Sequence, residues 1–111
     1  MESEERLNQV FFALADRKRR LILNMLTEGP VTVSDLASHF DTTLATISKN
    51  ITLPEKAELL YKVKKGRSVY CHMNHDTWLN VAMYVSGVAH FWQNRLNDLE
   101  QYVNDMTDKK L

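Results

Sequence analysis

Thr43, Thr46, Ser48, Lys49 and Asn50 fall close together in the chain. Hydroxyls both donate and accept, a carboxamide sets a donor beside an acceptor, and an ammonium donates only. That combination can read base edges: Asn50 can bracket an adenine, and Lys49 can reach a guanine edge or a phosphate. A second set, Lys62, Lys64, Lys65 and Arg67, surrounds Gly66. A small basic loop of this kind suits the phosphate backbone or the adjacent minor groove. A third run, Arg17 to Arg20, adds Arg17 and Lys18 as phosphate contacts, while Arg20 can equally serve structure. Each cluster also has a plainer reading, as the solvated face of a helix or as a hairpin edge guarded by lysines.

The elements around these residues favour the first reading. Leu7, Val10, Phe11 and Leu14 recur at helical spacing and predict a helix ending near Ala15. Asp16 suits the N-cap of a second helix with Leu21, Ile22, Met25 and Leu26 inward, stopped by Gly29-Pro30. A short third helix, capped by Thr32 or Ser34, turns Val33, Leu36, Ala37 and Phe40 inward. After the polar turn Asp41–Thr43, a fourth helix presents Leu44, Ile47 and Ile51 to the core and the base-reading set to solvent. Two helices joined by so short a turn predict a helix-turn-helix, whose second helix enters the major groove.

Beyond Leu60 the period becomes alternating. Tyr61, Val63 and Lys65, then Val69, Cys71 and Met73, predict a hairpin turning at Lys65-Gly66. A last helix is expected from about residue 76 to 106, with Thr107–Leu111 frayed. Along it Trp78, Ala82, Val85, Ala89, Trp92, Leu96, Leu99 and Val103 keep a heptad spacing. A chain this short cannot cover that seam alone, so a second copy is expected to pair with it, helped by Phe11 and Phe12. The expected class is mainly α with a small β-hairpin wing: a winged helix-turn-helix of five helices, one domain over 1–111, dimeric through its first and last helices.

Composition narrows the alternatives. The 111 residues are 44% hydrophobic and 25% charged, with a formal net charge of zero. Locally the balance is +3 over residues 16–20 and +4 over 43–67, offset by acidic stretches elsewhere. No apolar run is long enough for a membrane span, and the acidic start lacks the features of a signal peptide, so a cytoplasmic protein is expected. A single cysteine, Cys71, provides neither an internal disulfide nor a redox pair. No Gly-rich phosphate loop, GxSxG or HExxH is present, so catalysis is not expected and no cofactor is implied.

Several blocks in order resemble the ArsR (SmtB/ArsR) family of winged-helix repressors, over essentially the whole chain. They are the stretch from Phe12 to Leu23, Val33-Ser-Asp-Leu-Ala37, Ala45-Thr-Ile-Ser-Lys49, Glu55-Lys-Ala57 with Leu59-Leu60, and the stretch from Lys64 to Tyr70. The segment from Phe91 to Tyr102 is similar to the subgroup without metal ligands. The resemblance implies a homodimeric repressor that contacts DNA through its fourth helix and wing. The third helix lacks the cysteines of arsenic-type sites. His75, Asp76 and His90 do not match the zinc-type spacing, and His72 with His75 offers at most a weak site. Three departures stand out: Asn50 where histidine is common, Pro54 where leucine is usual, and Glu58 where glycine is usual. Proline inside a helix predicts a kink or early end near Thr52–Pro54.

Two functional readings follow. The first is a sequence-specific dimeric repressor on duplex DNA with a near-palindromic operator. The second is a degenerate winged helix that works as a protein-interaction module, which Pro54, Glu58 and the neutral net charge would favour. A metal- or redox-responsive DNA binder is a third. No inducer or further partner is identified by these residues.

Overall fold

The structure, a computed structural model, describes residues 4–109. Its order is α1 (Glu4–Leu14), α2 (Arg17–Met25), a single 3-10 turn (Leu26–Glu28), β1 (Val31–Thr32), α3 (Val33–His39), α4 (Leu44–Lys56), β2 (Leu60–Lys65), β3 (Ser68–Met73) and α5 (His75–Lys109). The chain divides into two compact units, Met1–Trp78 and Leu79–Leu111, the second being the remainder of α5.

The corner between α1 and α2 is built by polar side chains. Asp16 adopts an extended backbone and its carboxylate accepts from the Arg19 amide at 3.2 Å, capping α2. Arg19 then reaches back to α1, donating from Nε to the Ala13 carbonyl at 2.7 Å and from Nη2 to that of Phe12 at 2.9 Å. Arg20 donates to the Leu14 carbonyl at 2.6 Å. The last carbonyls of a helix lack internal partners and carry partial negative charge, so two guanidiniums satisfy both needs.

The core of the first unit draws on every layer: Val10 and Ala13 from α1, Ile22, Leu23 and Leu26 around α2, and Leu36 and Ala37 from α3. Ile47 and Ile51 from α4, Leu59 and Leu60 at the entry to the hairpin, and Cys71 from β3 complete it. Each large side chain buried here contributes roughly 1.5–3 kcal/mol. Leu21 and Leu44, expected inward, are 37% and 53% exposed, because the buried stripe of each helix runs through its neighbours instead.

The sheet has the order β1-β3-β2, all antiparallel. The edge strand β1 was not expected from the sequence: two residues, Val31 and Thr32, pair with Cys71 and Tyr70, too few for any period to register. The wing turn is Gly66-Arg67 rather than Lys65-Gly66, since Lys65 still pairs with Ser68. Gly66 takes φ +63°, a positive value at the first central position as type II′ hairpins require.

Helix α4 does not end before Pro54. It continues to Lys56 with Pro54 buried. The Leu59 amide donates to the Pro54 carbonyl and the Glu58 amide to that of Glu55, both at 2.9 Å. This is a Schellman closure, with Pro54 and Leu59 buried as its apolar pair. Proline sacrifices one hydrogen bond near the end of the helix, and its buried ring offsets part of that loss.

The described residues of the second unit, considered by themselves, are helical throughout. Helix α5 has 35 residues, roughly 50 Å at 1.5 Å per residue. It outlasts the expected stop at Met106: the Thr107 hydroxyl donates to the Val103 carbonyl at 3.0 Å and helix persists to Lys109. The remaining expected frayed residues, 110 and 111, lie outside the described residues.

Candidate nucleic-acid interface

The second helix of the pair is set by its own first turn. Thr43 is extended, and its hydroxyl accepts from the Thr46 amide at 3.1 Å. The same hydroxyl donates to Thr46 Oγ1 at 3.0 Å. Before it, the turn closes on α3 as the Thr42 amide reaches the Ala37 carbonyl at 2.9 Å, while Asp41 takes φ +52°. Asp41 is a type that tolerates the left-handed region better than most.

With Ile47, Ile51 and Pro54 buried, the opposite face of α4 carries Ala45, Thr46, Ser48, Lys49 and Thr52, all exposed. The expected base-reading residues Thr46, Ser48 and Lys49 are therefore together on the open face. Thr43 is exposed but its hydroxyl is occupied by the cap, and Asn50 lies half-buried on the flank of the helix. Two residues escaped the sequence reading. Leu44 stands exposed at the helix start, where an apolar side chain can meet a thymine methyl. Thr52 is exposed, with its hydroxyl donating to the Ser48 carbonyl at 2.9 Å.

The basic residues differ in whether they already have a partner. Arg17, Lys18, Lys64, Lys65 and Arg67 are exposed. Lys62, expected among the phosphate contacts, is also exposed and pairs with Glu55 at 3.2 Å. Arg19 and Arg20 close α1 as described. On the inner face of β3, Cys71 is fully buried. Burial pushes its thiol above the ordinary value, Lys62 opposes that shift and Glu55 adds to it. Outside the helix pair, Glu58 sits at φ +60° and its carboxylate forms an ion pair with Arg6.

The residues expected at a dimer interface also separate. Trp78 belongs to the first unit, where its indole Nε1 donates to the Leu59 carbonyl at 3.0 Å. A partly buried indole N–H needs an acceptor, and this one anchors the start of α5 to the loop before β2. Phe11 and Phe12 are exposed, and the Arg19 guanidinium lies 5.8 Å from the Phe12 ring centre. Ala82, Val85, Ala89, Trp92, Leu96 and Leu99 are all exposed along α5.

Among the described residues no group of three or more His, Cys, Asp or Glu side chains could hold a metal ion. His72 stacks on Tyr61, ring centres 5.0 Å apart. No helix among the described residues is long and apolar enough to cross a membrane.

This geometry has known relatives. A sequence model of the bacterial regulatory protein, arsR family, matches residues 16–50, from the cap of α2 into α4. The transcriptional repressor SdpR of Bacillus subtilis is 35% identical over 68 residues, covering 61% of this chain and 76% of SdpR. The chain belongs to the ArsR family. A solved ArsR family transcriptional regulator superposes with a TM-score of 0.73 at 34% identity, over 83% of this chain and 95% of its own. An ArsR-like transcriptional regulator from Rhodococcus sp. RHA1 gives 0.74 at 26% identity, over 87% and 92%. The homodimeric winged helix-turn-helix DNA-binding domain of a Mycobacterium bovis protein shares the fold, with a TM-score of 0.64 at 23% identity over 81% and 91%. For an ArsR-family chain, the departures at Pro54 and Glu58 are accommodated within one helix terminus and leave the helix-turn-helix unit intact.

Proposed function

We propose that this ArsR-family regulator is a dimeric repressor that reads a near-palindromic operator in duplex DNA. The observation that carries this reading is the open face of α4. Thr46, Ser48 and Lys49 project there from a helix whose start is fixed by the Thr43 cap. Leu44 adds an apolar contact for thymine. The wing tip, with Lys64, Lys65 and Arg67, and the corner with Arg17 and Lys18 serve the phosphates, which fix register without reading sequence. Base reading thus rests on Thr46, Ser48 and Lys49, with Asn50 contributing from the flank and Thr43 through its cap.

The dimer is supported by α5 and by the homodimeric Mycobacterium bovis relative. Val85, Trp92, Leu96, Leu99 and Val103 are about half exposed or more in the single chain. An apolar stripe that long on one helix favours pairing with a second copy, with Phe11 and Phe12 as the expected contribution of α1. Two copies related by a twofold axis would present two recognition helices to half-sites one DNA turn apart.

Selection of bound fragments from a random-sequence duplex pool, at low and near-physiological salt, tests this directly. An enriched inverted repeat that persists at the higher salt is expected. Recovery of DNA without any shared motif would defeat the operator-reading claim.

A further inference from the structure

Strands β2 and β3 place Tyr61, Val63 and Lys65 opposite His72, Tyr70 and Ser68. In an antiparallel ladder these share one face, the reverse of the face that buries Cys71. Against this outer face Pro30, Val63, Lys65, Tyr70 and His72 line a cavity of about 400 Å³. Of this lining only Lys65, at the wing tip, also takes part in the proposed DNA contacts.

We propose that this cavity is a binding site for a planar aromatic carboxylate, and that its occupant loosens the grip on DNA by engaging Lys65. The volume is that of a small-molecule site, and flat surfaces dominate the lining. Tyr70, the His72 ring stacked on Tyr61, and the proline ring all favour a planar ligand over a branched one. Pro30 directly precedes β1, which borders β3 on the side away from β2, so the lining draws on β2, β3 and the residue leading into β1. The lining holds one ammonium, that of Lys65, and no carboxylate. An anionic end on the ligand is the complement of that charge.

Lys65 is also the last residue of β2 and part of the basic wing tip. A carboxylate held against it neutralises the charge and competes with phosphate for the same donor. This second half rests on the DNA-binding reading; the pocket itself does not.

The test uses the full-length protein, isotopically labelled, without DNA, and three probes with one ring system and different charge. Indole-3-acetate is expected to shift the backbone amides of Val63, Lys65, Tyr70 and His72 saturably. It should bind at least about tenfold more tightly than indole-3-acetamide or tryptamine, the margin of a charge-assisted bond. The exposed substitution Lys65→Met should abolish that preference. Affinity independent of ligand charge, shifts centred on another surface, or no saturable shift up to about 10 mM would overturn the site. A second arm follows a fluorescent duplex. Saturating indole-3-acetate should weaken binding by the unsubstituted protein and leave Lys65→Met unaffected. Unchanged DNA affinity with the pocket filled overturns the coupling. A protein that takes the acetate there yet binds no duplex at all overturns the DNA-binding reading and upholds the pocket.

Discussion

The ammonium of Lys62 lies 3.2 Å from Glu55 Oε1, tying the first strand of the wing to the last turn of α4. Both side chains are over a third exposed, so the pair itself is worth about 0–1 kcal/mol. Its larger consequence is that one of four wing cations is already committed. Each phosphate contact contributes about 0.9 to the slope of log affinity against log salt. Lys62→Met should therefore leave that slope unchanged, whereas Lys64→Met, Lys65→Met or Arg67→Met should each lower it by about that amount. Glu55→Gln, which releases Lys62, should steepen it. A Lys62→Met slope as shallow as that of Lys65→Met would show that the pair yields to phosphate.

Thr43 and Thr46 look equivalent in sequence, and the structure gives them different work. Thr43 accepts the Thr46 amide, and its hydroxyl hydrogen is spent on Thr46 Oγ1. Thr43→Ala should cost about 0.5–2 kcal/mol in urea denaturation, the range for losing such a cap. Thr46→Ala keeps the cap and should move stability by less than about 0.5 kcal/mol while weakening DNA binding. Equal stability losses for the two variants would contradict the assignment.

Much of the fold was legible because it rests on periodic or local signals. The Asp16 cap, the hairpin alternation and the start of α5 within a residue of Asp76 follow from rules that operate within one turn or one strand. What escaped depends on tertiary partners. Strand β1 exists because β3 offers it an edge, and Leu44 is exposed because Ile47 and Ile51 already fill the available core. Pro54 and Glu58 read as defects in isolation, yet together with Leu59 they complete one helix closure. The site shows the same division. The open face of α4 was readable from helical spacing. The commitments of Lys62 to Glu55 and of Trp78 to the Leu59 carbonyl span elements that no local pattern joins.

Cys71 should behave as an inert thiol. Desolvation by burial raises its pKa above the ordinary thiol value, so the folded chain keeps the proton longer than the unfolded chain does. The associated stability is fully present below the unfolded value and is lost as pH rises through the raised one. Native protein at pH 8 should react with an aromatic disulfide reagent at least about a hundredfold more slowly than urea-unfolded protein, since reaction requires opening. Cys71→Ala should lack the part of the alkaline stability decline that begins as pH passes the ordinary thiol pKa of about 8.5. Rapid native labelling would show that the sheet face covering Cys71 opens readily.

Glu58 occupies the position after α4 that the Schellman closure usually gives to glycine, at φ +60°. A side chain there costs about 1–2 kcal/mol relative to glycine. Its ion pair with Arg6, half exposed at Glu58, returns at most about 1 kcal/mol. These two terms order two variants and the unsubstituted chain. Glu58→Ala keeps the backbone strain and loses the pair, so it should be the least stable. Glu58→Gly relieves the strain, and should exceed Glu58→Ala by about 1 kcal/mol in urea denaturation while matching or slightly exceeding the unsubstituted chain. An alanine variant as stable as the glycine variant would mean that the left-handed backbone at this position carries no strain, and that the ion pair alone accounts for glutamate there.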